Sequence, residues 1–220
     1  MPKVIFEDKF IIVCVKPCGV SSELTPSGND MVTLLSDRRA DRGEDDYIGV
    51  VHRLDMAVGG IMVYTKRNDA AAHLSKQITE GAFSKEYLAI AEGHTDDSGR
   101  MEDLLFHDRT KNKTYVVDKE RKGVHSAALE YTTLARTEHD GKEYSLVKIK
   151  LLTGRTHQIR IQFASRKHPL LGDGKYGASN SNCPIALWSR ELSFKHPKFE
   201  KTVSYSSEPD RSSLPWSLFK

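Results

Sequence analysis

The sequence predicts an α+β fold with a mainly antiparallel mixed sheet and flanking helices. Segments in which β-branched and aromatic residues alternate with polar ones recur along the chain, as is typical of half-buried strands. These predicted strands outnumber the predicted helices and rarely alternate with them, unlike the elements of a parallel α/β fold. Hydrophobic residues make up 38% of the 220 residues, enough for a substantial core.

The strands are predicted first. Two short apolar runs, 4–6 and 10–15, predict a strand pair that ends at the turn Lys16-Pro17-Cys18-Gly19. Further strands are predicted over 61–65, 87–91, 127–134, 144–151 and 186–194.

Three helices are predicted between these strands. A short helix is expected over 31–39. A second helix is expected to begin at Asn68, which can cap it, and to end at Gly81. The third is expected over 156–164, with Thr156 as its cap.

Composition limits the classes of protein to consider. No apolar run is long enough to cross a membrane, and the acidic N-terminus does not match an export signal. The cysteines Cys14, Cys18 and Cys183 are odd in number and lie near no histidine cluster, which argues against disulfides and structural zinc. We therefore expect a cytoplasmic protein without a metal. A net charge of +3 permits a polyanionic partner without requiring one.

Three segments concentrate polar residues that can perform chemistry. They are His52-Arg53-Leu54-Asp55 before Gly59-Gly60, Lys85-Glu86-Tyr87, and Thr153 to Arg160 followed by Gly172 to Gly177. From its own segment alone, Asp55 is either a functional carboxylate or a turn residue in a surface ion pair. The segment around Arg155 joins a strand to a helix, where a helix N-terminus favours a bound anion.

Together, these segments resemble the RluA-type family of RNA pseudouridine synthases. His52 to Asp55 matches the family's His-Arg-Leu-Asp, Lys85 and Tyr87 match Lys-x-Tyr, and Gly154 to Arg160 matches Gly-Arg-x-His-Gln-[Ile/Leu]-Arg. His168-Pro169 and the Gly172–Gly177 segment match the pattern that follows. The resemblance extends from about residue 4 to about residue 205 and is to the catalytic domain of the family only.

The resemblance implies one pseudouridine synthase catalytic domain over residues 1–220, acting as a monomer on transfer RNA, ribosomal RNA or both. Isomerising uridine to pseudouridine changes no oxidation state, so no cofactor is expected. Two alternatives stay open: a nucleobase glycosylase, which would need a second acid such as Asp173 or a positioned water, and an inactive protein that only binds RNA.

The resemblance also implies roles for individual residues. Asp55 is the essential carboxylate, either attacking C1′ or removing the C2′ proton, and Arg155 is the arginine that keeps it ionised. Tyr87 stacks on the detached uracil, and its hydroxyl can move a proton. Arg53, expected on the same strand face as Asp55, fills the space that the flipped base leaves.

The remaining predicted substrate contacts are His52, His157, Gln158, Ile159 and Arg160. Ile159 is either an apolar wall of the uracil pocket or an ordinary core residue. A set of cations is expected either to meet RNA phosphates or to be merely solvated: Lys66, Arg67, Arg160, Arg166 and Lys167.

Two short segments depart from the usual family pattern. Val58-Gly59-Gly60 stands where Thr-Ser-Gly is commonest, and Leu187-Trp188-Ser189 replaces Leu-His-Ala. We expect both changes to affect substrate contacts more than the type of reaction.

Overall fold

The computed structural model describes residues 2–219, and the predicted α+β class is confirmed there. The strands are β1 (Lys3–Glu7), β2 (Ile11–Lys16), β3 (Gly49–Val50), β4 (Gly59–Thr65), β5 (Ser84–Glu92), β6 (Ser98–Asp108), β7 (Lys113–Val117), β8 (Val124–His139), β9 (Lys142–Leu151), β10 (Leu187–Lys195) and β11 (Thr202–Ser206). The α-helices are α1 (Met31–Ala40), α2 (Asn68–Thr79) and α3 (Gln158–Ser165), with short 3-10 helices at Gly174–Tyr176 and Trp216–Phe219.

The chain divides into two compact units. The first unit holds the chain up to Lys85 together with Trp188–Glu208, and the second holds Glu86–Leu187 together with the chain from Pro209.

In the first unit the strands follow the order β1-β2-β4-β10, with β3 paired to β4 and β11 paired to β10. The β4–β10 pair is parallel, and the other pairs named here are antiparallel. β4 is buried along its whole length, which explains its unbroken run of apolar and small residues. The core of this unit consists of Ile11, Val13, Ile61, Val63, Leu74, Phe83, Leu192 and Phe194.

In the second unit the order is β5-β9-β8-β6-β7, so that β7 lies at the edge. A tight turn joins β8 to β9 at Asp140 and Gly141, whose φ angles of 51° and 69° suit a two-residue hairpin. α3 packs on this sheet through Phe163, whose ring centroid lies 5.4 Å from that of Tyr131.

Two predicted helix caps are wrong. α2 already includes Asn68, and Arg67 precedes it without a side-chain capping bond. α3 begins at Gln158 after His157, so Thr156 does not cap it. His157 precedes α3 in the left-handed conformation, with a φ of 54°, and no side-chain hydrogen bond caps the helix.

Candidate functional site

Asp55 lies in the loop between β3 and β4. The N–H of Val58 donates to the carbonyl of Asp55 at 2.9 Å, which closes a turn directly before β4. The side chain of Asp55 is half-buried. The predicted strand through Arg53 and Asp55 is wrong, because this segment runs as a loop and strand alternation does not apply to it.

The loop that follows β2 holds the residues on both sides of Asp55. The hydroxyl of Ser22 donates to the carbonyl of Leu54 at 3.0 Å, and the N–H of Gly19 donates to the carbonyl of Met56 at 2.8 Å. The turn predicted at 16–19 therefore supports the backbone of the Asp55 loop.

Lys16 adds a buried cation beneath this loop, and sequence reasoning gave it no role. Its ammonium donates to the carbonyls of Pro17, Val20 and Met56 at 3.0, 2.7 and 3.2 Å, so all three donors have acceptors. Burial lowers the pKa of Lys16 to about 8, while the charges of Cys18 and Asp55 act to raise it. The sequence signal that could have identified Lys16 is its position as a lysine at the end of an apolar strand.

His52 supports the loop from its other end. It is 6% exposed, its Nε2 accepts the N–H of Val63 at 3.1 Å, and its ring lies 5.5 Å from that of Phe83. Burial, aided by the charge of Lys85, holds the pKa of His52 well below its usual range. This neutral histidine ties the start of the loop to β4.

Arg53, by contrast, points to solvent. It is exposed and donates to the carboxylate of Glu23 at 3.2 Å. Exposed ion pairs of this kind contribute little to stability, so Arg53 can leave Glu23 at small cost.

In the second unit, Tyr87 lies on β5 and is 5% exposed. Arg155 lies in the loop before α3, and its side chain is exposed except where Nε donates to the carbonyl of Ser126 at 3.0 Å. This bond ties the guanidinium to the beginning of β8 and leaves its terminal nitrogens at the surface.

The side chain of Gln158 organises the Arg155 loop. Its Oε1 accepts the N–H of Arg155 at 3.0 Å and the hydroxyl of Thr153 at 2.7 Å, and its Nε2 donates to the carbonyl of Ala128 at 3.0 Å. Gln158 is 2% exposed. It therefore positions Arg155 through the backbone.

The next predicted contacts are also buried. Nδ1 of His157 lies 2.8 Å from the hydroxyl of Tyr176, and Ile159 is 4% exposed. Arg160 forms two hydrogen bonds to Asp173, at 2.7 and 2.8 Å, and both side chains are buried. Because Asp173 is committed to this pair, it is poorly placed to act as the second acid of a glycosylase.

Most of the cations proposed as phosphate contacts are already paired with carboxylates. Lys66 binds Glu7 and Glu44, and Arg67 binds Asp69. Arg166 binds Asp103, as Arg160 binds Asp173. Lys167 is exposed.

The structure thus brings the predicted residues together in two groups, one in each unit. His52, Arg53 and Asp55 share the loop of the first unit. Tyr87 and the residues from Arg155 to Arg160 lie in the second. Within residues 2–219, no three histidine, cysteine, aspartate or glutamate side chains cluster as metal ligands would. No helix in that range is long and apolar enough to cross a membrane.

Comparison with known proteins gives a consistent picture. Residues 10–165 match the family model described as RNA pseudouridylate synthase. A protein of Aquifex aeolicus (strain VF5), named an uncharacterized RNA pseudouridine synthase, is 36% identical over 94% of this chain and 69% of its own length. The dual-specificity RNA pseudouridine synthase RluA of Yersinia pestis is 31% identical over 94% of this chain and 98% of its own.

Among solved structures, human RNA pseudouridylate synthase domain containing 1 has a similar fold. It superposes with a TM-score of 0.77 at 21% identity, over 96% of this chain and 84% of the human chain.

Proposed function

The chain belongs to the RNA pseudouridylate synthase family, and we propose that it isomerises a uridine of transfer RNA, ribosomal RNA or both through the carboxylate of Asp55. It is an RNA-modifying isomerase, as the family is. The RNA, the uridine and the roles of the residues are the proposed part.

The observation that carries the role of Asp55 is the support of its loop. Bonds from Ser22 and Gly19 hold the residues on either side of Asp55, and the Lys16 ammonium binds the same Met56 carbonyl as Gly19. A catalytic group must be held in a productive geometry by neighbours that are themselves fixed. The half-buried carboxylate is then ready either to attack C1′ or to remove the C2′ proton.

The reaction breaks the N1–C1′ bond, turns the uracil and joins its C5 to C1′. No atom is gained or lost, so the protein's own groups suffice. Tyr87 holds the detached base and moves a proton through its hydroxyl. Arg155 supplies a fixed cation with exposed donors, which Gln158 and Ser126 orient.

The target base must leave its stack before it can react. Arg53 is the proposed residue that takes its place, because it is exposed and its ion pair with Glu23 is a weak surface one. His52, His157, Gln158 and Arg160 are buried, so we assign them to positioning these loops. Ile159 is the proposed apolar neighbour of the uracil.

The proposed RNA classes follow the names of relatives. One of them, from Zymomonas mobilis, is called ribosomal large subunit pseudouridine synthase D, and it is 28% identical over 94% of this chain. The dual-specificity name of the Yersinia relative supports keeping transfer RNA beside ribosomal RNA. We further propose that the protein acts as a monomer in the cytoplasm, where these RNAs are present.

Mapping pseudouridines in RNA from cells with and without the protein tests the proposal. Cells that carry Asp55→Asn should lack the same pseudouridine as cells without the protein. Asp37→Asn, which removes an exposed carboxylate on α1, is the matched control and should restore it. If cells that carry Asp55→Asn still contain this pseudouridine at the wild-type level, Asp55 does not have the central role.

A further inference from the structure

A strongly basic segment of the second unit lies outside the motifs discussed so far. Residues 109–125 contain six lysines and arginines and two acids, an excess of four positive charges that exceeds the +3 of the whole chain. We call its cations the basic stripe: Arg109, Lys111, Lys113, Lys119, Arg121 and Lys122.

Several other cations of the second unit have carboxylate partners. Arg100, Arg136 and Arg166 are each ion-paired with an acid. Among the described residues, no member of the basic stripe forms such a pair. Their positive charge is therefore available to an anion from outside the chain.

The basic stripe follows the edge strand β7. Arg109 and Lys111 lie in the turn before the strand, and the last three members lie in the loop after it. A strand of five residues is about 16 Å long, so the charges extend over several phosphate spacings.

Two members of the basic stripe lie over aromatic rings. Arg121 lies over the half-buried ring of Phe106 at 4.9 Å, and Lys113 lies 6.0 Å from the ring centroid of the exposed Tyr115. Phe106 is paired with Tyr115 across β6 and β7, and Tyr115 is 36% exposed. Cations beside exposed rings are a common composition for surfaces that bind nucleic acids.

The basic stripe lies close to Arg155 within the same unit. Val117 of β7 pairs with Leu104 of β6, and Leu104 pairs with Ser126 of β8. Ser126 is the residue whose carbonyl binds Arg155. Two strand spacings, about 10 Å, therefore separate the end of β7 from the backbone that holds Arg155.

Edge strands also carry lysines because charge prevents pairing with other sheets. That role suits Lys113, which lies on β7 itself. It does not explain the five cations that lie in the adjoining turn and loop.

We propose that the basic stripe binds the phosphate backbone of the RNA substrate beside Arg155. The proposal rests on the proposed function and names a surface that contributes to the affinity for RNA. It replaces the cations predicted from sequence, most of which are neutralised by internal ion pairs.

The test removes four exposed charges that make no ring contact: Arg109→Gln, Lys111→Gln, Lys119→Gln and Lys122→Gln in one variant. The matched control changes four exposed lysines of the first unit: Lys3→Gln, Lys9→Gln, Lys198→Gln and Lys201→Gln. Both variants lose the same charge, and thermal unfolding checks that both are folded. Binding is measured with transfer RNA and ribosomal RNA fractions from cells that lack the protein, over a range of salt concentrations.

The stripe variant should bind RNA about tenfold more weakly at low salt. The slope of its salt dependence should fall by about 0.7–0.9 for each phosphate that the variant no longer neutralises. The control should bind like wild type. Equal binding by the two variants would overturn the proposal. A two-site variant, Lys119→Gln with Lys122→Gln, should show about half the change in salt dependence.

Pseudouridine formation is measured on the same RNA to separate this proposal from the proposed function. If the wild-type protein forms pseudouridine but the stripe and control variants bind RNA equally well, the role of the basic stripe is refuted and the proposed function stands. Absent turnover with a stripe-dependent loss of binding would refute the proposed function and leave the RNA surface in place.

Discussion

The indole ring of Trp188 occupies the space that a side chain on Gly59 would need. A Cβ atom added to Gly59 would lie 2.5 Å from Cζ3 and 2.9 Å from Cε3 of Trp188. The two residues are register partners in the parallel β4–β10 pair, and the indole N–H donates to the carbonyl of Ser207 at 2.9 Å. The two departures from the family pattern are therefore a single packing arrangement at the start of β4.

This arrangement predicts that Gly59→Ser destabilises the protein by about 1–3 kcal/mol, the usual cost of overpacking. In a Trp188→Ala background the same substitution should cost much less, because the ring that it meets is gone. Chemical denaturation of the wild type, both single variants and the double variant measures this coupling.

Gly60→Ser is the control for this prediction. Gly60 has a φ of +127°, and an added Cβ would meet the backbone of Ser189 rather than a side chain. Trp188→Ala should therefore not relieve its cost. If the losses of unfolding free energy caused by Gly59→Ser and Trp188→Ala are additive in the double variant, the indole ring is not what disfavours a side chain at position 59.

His52 predicts a loss of stability in acid. Its pKa is low in the folded protein and about 6.5 in the unfolded chain, so the unfolded chain binds the extra proton first. The stability that neutral His52 contributes is present above about pH 6.5 and is lost as the pH falls below it.

The measurement compares wild type with His52→Phe between pH 7 and 5. At pH 7 the variant should be less stable by about 1–3 kcal/mol, because the N–H of Val63 loses its acceptor. That difference should narrow as the pH falls. The exposed His125 provides the control, since His125→Gln should leave the pH dependence unchanged. A constant difference would mean that His52 has the same pKa in the folded and unfolded states.

The strands that the sequence failed to predict show where local pattern is insufficient. β6 contains Arg100, Glu102 and Asp103, and it buries only Met101 and Leu105. Its place in the sheet depends on nine register partners in β8, which are distant in the sequence. By contrast, β2 and β4 are strongly apolar and were predicted within a few residues of their ends.

In the candidate site, too, the sequence pattern predicts some features and misses those that depend on distant partners. The motifs identify which residues matter, but a polar residue that contacts substrate and one that supports a loop give the same pattern. His157 and Arg160 are distinguished by their partners Tyr176 and Asp173, which lie 19 and 13 residues away. The basic stripe was missed because individual lysines are usually solvated. Only the structure shows that six cations without an ion pair among the described residues adjoin one edge strand, β7.

A cofactor-free reaction predicts that chelation has no effect. Turnover in excess chelator should equal turnover without it when the RNA is a short stem-loop whose own fold needs no magnesium. The control is the same RNA with magnesium restored. Loss of turnover that one specific metal reverses would contradict the cofactor-free mechanism.

Tyr87 allows two roles to be separated by one atom. Tyr87→Phe keeps the ring, which can still stack on the uracil, but removes the hydroxyl. Loss of a general acid–base group costs roughly a hundredfold or more in rate, whereas loss of stacking costs about 1–3 kcal/mol. We predict that the phenylalanine variant binds RNA normally and turns over at least a hundredfold more slowly, to be measured as kcat and Kd on one RNA.

Tyr87→Ala removes both the ring and the hydroxyl, and we expect its turnover to be lower than that of the phenylalanine variant by no more than about tenfold. Because Tyr87 is 5% exposed, the alanine variant also leaves a cavity, so its unfolding must be measured beside its turnover. A fully active phenylalanine variant would reduce Tyr87 to a stacking platform. A folded and fully active alanine variant would show that Tyr87 has neither role, since no ring or hydroxyl would remain at the position where the family pattern places them.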